Sequence, residues 1–148
     1  MSKLLILILT ATAFLTITCK KAKVYGCTDK HSISYNFKAN EQCFSCCEYQ
    51  GSCVFYANFA TSEMLKSNNV TSWSLKVNTY FIDSSRNTYF TVAPQCGDAA
   101  AISFSSGLAF EKSNDMGYEL LDQDGNLIKQ GDFHMKADTC LAYEIGAL

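Results

Sequence analysis

Apolar and polar side chains alternate strictly over residues 73–81, and this pattern restricts the surrounding chain to β structure. The odd-numbered positions are Trp, Leu, Val, Thr and Phe, whereas the even-numbered positions are Ser, Lys, Asn and Tyr. Successive side chains of a strand point to opposite faces of its sheet. A period of two therefore predicts one strand over residues 73–81 with a single buried face, and it places Tyr80 on the polar face.

Six shorter segments are rich in the β-branched and aromatic residues that favour strands. They cover residues 54–59, 88–92, 100–104, 118–121, 127–133 and 141–145. Asp124-Gly125-Asn126 predicts a hairpin turn, because Gly and Asn adopt positive φ at little cost. One helical turn is expected over residues 61–66. Seven short strands separated by turn signals predict an all-β fold, a small antiparallel β-sandwich over residues 53–148.

The first 18 residues have the order of a bacterial lipoprotein signal. Lys3 precedes an apolar run over residues 4–17, and Cys19 follows directly after Thr18. We therefore predict a signal peptide over residues 1–18 and a mature chain that begins at a lipid-modified, palmitate-bearing Cys19. This predicts an outer-membrane lipoprotein that faces the periplasm or the cell surface.

Two other interpretations of this segment stay open. An uncleaved membrane anchor needs about 20 apolar residues, and the run is shorter than that. A plain secretory signal has small residues just before the cut, where this chain has Thr16, Ile17 and Thr18.

Charge is distributed unevenly along the predicted mature chain. Residues 19–52 contain five lysines against three acids, and residues 53–148 contain six basic against eleven acidic side chains. An acidic main domain is a poor partner for nucleic acid, because phosphate binding is mostly cationic. The basic stretch over residues 20–23 is expected to be a solvated tether, with contact to anionic lipid headgroups as the alternative.

The eight cysteines predict disulfide bonds if the chain is exported. Cys96 and Cys140 lie in the strand-rich part and are predicted to bond to each other, closing a loop of 44 residues that contributes roughly 4 kcal/mol. The adjacent Cys46 and Cys47 should take different partners. The cysteine-rich part, with Cys53 just beyond it, supplies five candidates, enough for two bonds with one thiol left over: Cys27, Cys43, Cys46, Cys47 and Cys53.

Zinc binding and redox chemistry are the alternatives for these cysteines. Residues 43–46 form a C-x-x-C, but a redox pair of this kind is typical of a βαβ context, which the sequence does not predict. A zinc finger would need a second pair at matching spacing, and Cys47 and Cys53 do not provide it. We therefore predict structural disulfides, with no metal site and no cofactor.

The cysteine-rich part resembles a known short module. Residues 25–29 read YGCTD, residues 34–36 read SYN, residues 39–40 read AN and residues 51–53 read GSC. These resemble the GCTD-x-x-A-x-N-Y-N-x-x-A…DDGSC segments of surface and secreted proteins of Bacteroidetes. The resemblance implies a small Bacteroidetes lipoprotein, with the module over residues 19–52 and an uncharacterised β domain after it, and it implies no activity. The sequence EQCFSCCEY stands where that family has acidic residues, which weakens calcium binding there.

No motif in the chain indicates an enzyme. Only His31 and His134 could act as imidazole bases, and no G-x-S-x-G nucleophile elbow is present. His134 continues the alternation of its strand, which predicts a solvent-exposed histidine. Residues 122–126 lack the distal Glu of an EF-hand, so we expect a turn there instead of a calcium loop.

The sequence favours a non-enzymatic binding module for a glycan or for another envelope protein, bound through loops at one end of the sandwich. The alternative is a structural or assembly subunit that associates through sheet edges. An exposed aromatic patch would favour binding, and an unprotected apolar edge would favour assembly. Four aromatic side chains are candidates for a stacking platform, although core packing is expected for all but the first of them: Tyr80, Tyr89, Phe90 and Tyr118.

Overall fold

A computed structural model describes residues 21–43 and 45–146. The predicted signal peptide and Cys19 lie outside the described residues. Within those residues, no helix has the length and apolarity needed to cross a membrane.

The described residues form nine strands and one helix. The elements are β1 (Tyr25–Gly26), β2 (Glu41–Gln42), β3 (Gln50–Tyr56), α1 (Phe59–Ser67), β4 (Ser72–Val77), β5 (Tyr80–Arg86), β6 (Ile102–Gly107), β7 (Ser113–Asp122), β8 (Leu127–Lys136) and β9 (Cys140–Glu144).

The last seven strands form two sheets, which confirms the predicted all-β class. One sheet has the order β6-β3-β9 and the other has the order β5-β4-β7-β8. Pairing is antiparallel in the four-stranded sheet, whereas β9 runs parallel to β3. Since β6 runs antiparallel to β3, the three-stranded sheet is mixed.

Aromatic side chains join the inner faces of the two sheets. The ring centroid of Phe55 in β3 lies 5.2 Å from that of Phe133 in β8 and 5.4 Å from that of Tyr118 in β7. Trp73 and Leu75 of β4 are buried in the same core. Each such side chain contributes about 1.5–3 kcal/mol by leaving water, so this core is the main source of stability in the sandwich.

The predicted single strand over residues 73–81 is wrong beyond Val77. Asn78 and Thr79 have φ of 46° and 75° and form a two-residue turn, so that Tyr80 pairs with Val77. Positive φ at both central residues is the geometry that matches the twist of a hairpin. The turn is held by Gly117, whose N–H donates to the Asn78 side chain at 3.2 Å and whose carbonyl accepts from the Asn78 N–H at 3.1 Å.

Three other predicted segments can be compared with the structure. Residues 88–92 are not a strand: the Phe90 N–H donates to the Ala57 carbonyl, and the segment joins no ladder. The expected single helical turn is the nine-residue helix α1, whose first turn is capped by Asn58 through a 2.8 Å bond from the Thr61 N–H. The predicted turn at residues 124–126 is confirmed, with φ of 83° at Gly125.

The cysteine-rich module, residues 21–49 as described here, packs directly onto the sandwich. Its short strands β1 and β2 are parallel, and Gly26 allows the turn before β2 to pack closely, since a Cβ there would lie 3.0 Å from that of Ala39. Tyr49 is buried and exchanges backbone hydrogen bonds with Leu108 and Ala109 of the sandwich. The predicted boundary at residues 52 and 53 falls inside β3, which begins at Gln50.

Candidate functional site

Six cysteines form three disulfides in the described part of the chain. Cys96 bonds to Cys140, the pair expected from the sequence, with a Cα–Cα distance of 5.9 Å. This bond fastens the loop after Pro94 to the start of β9. In the module the adjacent cysteines take different partners, as expected, and the two bonds are Cys27–Cys47 and Cys43–Cys46.

Cys53 was counted among the disulfide candidates, and the structure corrects this. Its thiol is free and fully buried in β3, the central strand of its sheet. Burial raises the pKa of Cys53 to about 12, so the thiol stays protonated and unreactive. It is the left-over cysteine, packed as a small apolar side chain.

A polar cluster joins the module to the sandwich. The Asp29 carboxylate accepts from the Lys112 ammonium at 2.6 Å, from the Tyr49 hydroxyl at 2.8 Å and from the His31 N–H at 3.0 Å. The hydrogen bond from Lys112 is the largest cause that holds the pKa of Asp29 well below its ordinary value. The His31 ring lies 3.1 Å from the Asp138 carboxylate. The Asp29–Lys112 and His31–Asp138 contacts cross from module to sandwich, so we assign the cluster to docking of the module.

His134 is exposed on β8, and its Nδ1 lies 2.7 Å from the Asp115 carboxylate. The Asp122 carboxylate accepts hydrogen bonds from the Asn126 side-chain amide and from the backbone N–H groups of Asn126 and Asp124, which lower the pKa of Asp122. Residues 122–126 therefore form a turn closed by their own side chains. Among the described residues, no group of three or more His, Cys, Asp or Glu side chains is arranged to hold a metal ion.

The four-stranded sheet carries an open groove on its outer face. The groove has a volume of about 300 Å³ and lies beside the β4–β5 turn. Gly117 lines it without a side chain: a Cβ built there would make ordinary van der Waals contacts, 3.7 Å from an Asp132 carboxylate oxygen and 3.8 Å from the Asn78 amide oxygen. The lining residues are Asn78, Thr79, Gly117, Tyr118, Glu119, Gln130, Gly131 and Asp132.

Strand register places a polar row beside this groove. Lys76 pairs with Glu119, and Glu119 pairs with Gln130. Directly opposite residues of antiparallel strands share one face of the sheet. Phe81 pairs with Lys76 and is 62 % exposed, so the row ends in an accessible aromatic ring. The face thus combines amide and carboxylate groups with one apolar ring.

Tyr118 forms the inner side of the same region. Its ring lies over Gly131, where a Cβ would come within 3.1 Å of the ring. Burial, followed by the charge of Asp132, raises the pKa of Tyr118. The hydroxyl is therefore protonated at neutral pH and is available as a donor.

The four aromatic candidates do not form one platform. Tyr80 is 75 % exposed, as expected, whereas Tyr118 is half-buried against Phe55. The expected core position of Tyr89 is wrong: it is exposed and makes an edge contact with Phe59, with ring centroids 5.1 Å apart. Phe90 is half-buried. The sequence placed Phe81 on the buried face of a single strand, and this is wrong: the hairpin puts Phe81 opposite Lys76, where it is exposed.

No protein-family model, curated protein or solved structure matches the chain.

Proposed function

We propose that the protein is an outer-membrane lipoprotein, anchored through Cys19, that acts as a non-enzymatic binding module for a glycan of the cell envelope. The groove around Gly117 carries this proposal. It provides about 300 Å³ of open space on the outer face of the four-stranded sheet, with side-chain oxygens of Asn78 and Asp132 close to Gly117. An open groove of this size suits one or two sugar rings.

The chemistry of the lining supports a sugar in preference to an apolar ligand. Glu119 and Asp132 are acceptors for sugar hydroxyls, and Gln130 offers both a donor and an acceptor. The exposed ring of Phe81 at the end of the row can cover the apolar face of a sugar.

Substitution at Gly117 gives a direct test of the groove. Gly117→Val would put a branched side chain into the groove, and its Cβ would meet only ordinary contacts, so we expect loss of binding to glycan arrays with unchanged folding. Gly107→Val is the matched control, because a Cβ at Gly107 meets nothing within 4 Å and lies in the other sheet. Equal binding by the two variants, or no glycan bound by the natural chain, would contradict the proposal.

The anchor is tested separately at the N-terminus of the protein purified from its own envelope. Mass spectrometry should show acylated Cys19 as the first residue. An unmodified N-terminus or an intact Met1 would refute the lipoprotein assignment while leaving the groove untouched.

The alternative function, assembly through sheet edges, has less support from the edges themselves. A bulge interrupts β5 between its pairings with Leu75 and Lys76, and Asp83 and Arg86 are exposed along that strand. On β8 the His134 N–H donates to the Tyr143 hydroxyl at 3.1 Å. Bulges, charges and covered N–H groups are the devices that keep edges from pairing.

A further inference from the structure

We propose that the module has a membrane-docking surface, formed by its tether and by the turn at residues 36–40, that rests on an anionic lipid bilayer. The proposal rests on the anchoring half of the proposed function and is independent of glycan binding. It assigns the partner as lipid headgroups and fixes which side of the protein faces the membrane.

Hydrogen bonds hold the tether and the turn together as one surface. The Asn40 carboxamide accepts from the Val24 N–H at 2.9 Å and donates to the Ala22 carbonyl at 2.9 Å, while the Asn40 N–H donates to the Val24 carbonyl. Lys23 pairs with Glu41 at 3.2 Å. Residues 22–26 are therefore fixed alongside residues 36–42 and are not a loose tether.

This surface combines exposed aromatic rings with lysines. Phe37 is 76 % exposed and Tyr25 is 63 % exposed, both on the module and not in its core. The Lys38 ammonium lies 5.6 Å from the centroid of the Phe37 ring. Aromatic rings beside lysines are the composition found at membrane interfaces, where rings enter the headgroup layer and lysines meet anionic lipid.

Charge and chain length both select lipid as the partner. Lys21, Lys23 and Lys38 lie on this surface, and the nearby acid Glu41 is paired with Lys23. Only five residues lie between Cys19 and Tyr25, so six steps join them, and an extended chain spans at most about 3.5 Å per step. A lipid at Cys19 would therefore keep this surface within about 20 Å of the bilayer.

A different part of the module contacts the sandwich. Asp29 and His31 contact Lys112 and Asp138 there. The module therefore has two surfaces with different roles. One contacts the sandwich, and the other exposes aromatic rings and lysines to solvent.

Tryptophan substitution tests the docking surface in the complete protein. Phe37→Trp places a fluorophore on the surface, and Phe81→Trp is the matched control on the sandwich, where Phe81 is similarly exposed at 62 %. The native Trp73 is buried and gives both variants the same background. Each variant is mixed with vesicles of phosphatidylglycerol and brominated phosphatidylcholine, and emission is recorded.

We expect the added emission of Phe37→Trp to shift to the blue and to be largely quenched, while that of Phe81→Trp stays unchanged. Salt at about 1 M, where the Debye length falls to about 3 Å, should reverse the quenching of protein that has no acyl chain. Adding Lys38→Gln should lower the vesicle affinity of such protein about fivefold, the loss expected for one lysine near an anionic surface.

Equal quenching of both variants, or quenching of neither, overturns the inference. A blue shift that needs another envelope protein and not the vesicle also overturns it, because the surface would then bind protein. The mass of the N-terminus of the same sample reports acylation independently. A missing anchor and a failed docking surface therefore give different results.

Discussion

The module and the sandwich reach stability by different means. The module spans residues 21–49 of the described chain and contains two disulfides, while its buried apolar side chains are few. The sandwich has seven strands, one disulfide and a continuous core around Phe55, Trp73 and Leu75. A short segment cannot bury enough apolar area to hold itself together, so covalent links replace packing.

The module depends on the sandwich for part of its stability. Cys27, Cys47 and Tyr49 belong to the same buried cluster as the sandwich core. Asp29 adds a charged contact to Lys112 at 2.6 Å. The module therefore gains its remaining stability from the surface on which it docks, and changes in either region should affect the two regions unequally.

The largest effect is expected from the disulfide of the sandwich. Cys140→Ser opens a loop of 44 residues and should lower the free energy of unfolding by roughly 2–5 kcal/mol. Denaturant titration measures the loss, and thiol counting should find one new free thiol, at Cys96. A stability unchanged by this substitution would show that the core alone holds the loop after Pro94.

Breaking a disulfide of the module should lower the free energy of unfolding of the whole protein less than Cys140→Ser does. Its effect should be confined to the module. Cys47→Ser breaks a bond that closes 20 residues, worth about 3 kcal/mol from chain entropy. Because the sandwich keeps its own core, hydrogen exchange should rise over the module and stay low in β4 and β7. Uniform loss of protection across both regions would mean that they unfold as one unit and would remove the distinction between them.

Gly51 probes the contact between β3 and the end of β8. A Cβ at this position would come within 2.4 Å of the Met135 Cγ and 2.9 Å of the Lys136 carbonyl oxygen. Gly51→Ala should therefore destabilise the sandwich by about 1–3 kcal/mol, the usual cost of overpacking a core. Gly107→Ala is the control, since its Cβ would meet open space. Thermal unfolding of the two variants should separate them clearly, and equal melting temperatures would contradict the packing described.

The hairpin β4–β5 shows how far the sequence determines the fold. The alternation that begins at Trp73 correctly gave the buried face of β4, but the polar and apolar letters of Asn78 and Thr79 continued the pattern through the turn and so concealed the reversal there. Because the turn has two residues, Val77 pairs with Tyr80, and Phe81 lies on the outer face opposite Lys76. Asn adopts positive φ readily, and that signal was present. Thr79 rarely does so, because a β-branched side chain resists this conformation. The anchoring bonds to Gly117, distant in sequence, supply the missing determinant.

The candidate groove could not have been predicted in the same way. Its lining residues come from β7, β8 and the β4–β5 turn, and their proximity depends on the register of these strands. Bulges in β5 and near Leu120 shift that register by one residue. Alternation indicates faces within a strand but not which residues lie opposite each other. Cysteine pairing shows the same limit: the Cys96–Cys140 pair followed from its position among the strands, whereas the partners within the module needed the structure.

The docking cluster predicts a pH-dependent difference between the two regions. The Asp29 carboxylate accepts bonds from Lys112, the His31 N–H and Tyr49, and they hold its pKa well below the ordinary value. A carboxyl whose pKa is lowered by folding stabilises the native state above its unfolded pKa of about 4 and loses that contribution as the pH falls below it. The natural chain should therefore be more stable than Asp29→Asn at pH 7, and the gap should narrow as the pH falls below about 4. A gap that does not change with pH would mean that Asn preserves the contacts.

The smallest change concerns Cys53, which belongs to the sandwich by position although the sequence grouped it with the module. Its thiol is fully buried, and burial raises its pKa to about 12. Since thiolate is the reactive form, a maleimide reagent at pH 8 should leave the native protein unlabelled and should label one cysteine of the predicted mature chain after denaturation. Cys53→Ala should preserve all three disulfides. Rapid labelling of the native natural chain would show that β3 opens or that the module disulfides exchange with this thiol. In the second case Cys53 would connect the disulfides of the module to the core of the sandwich.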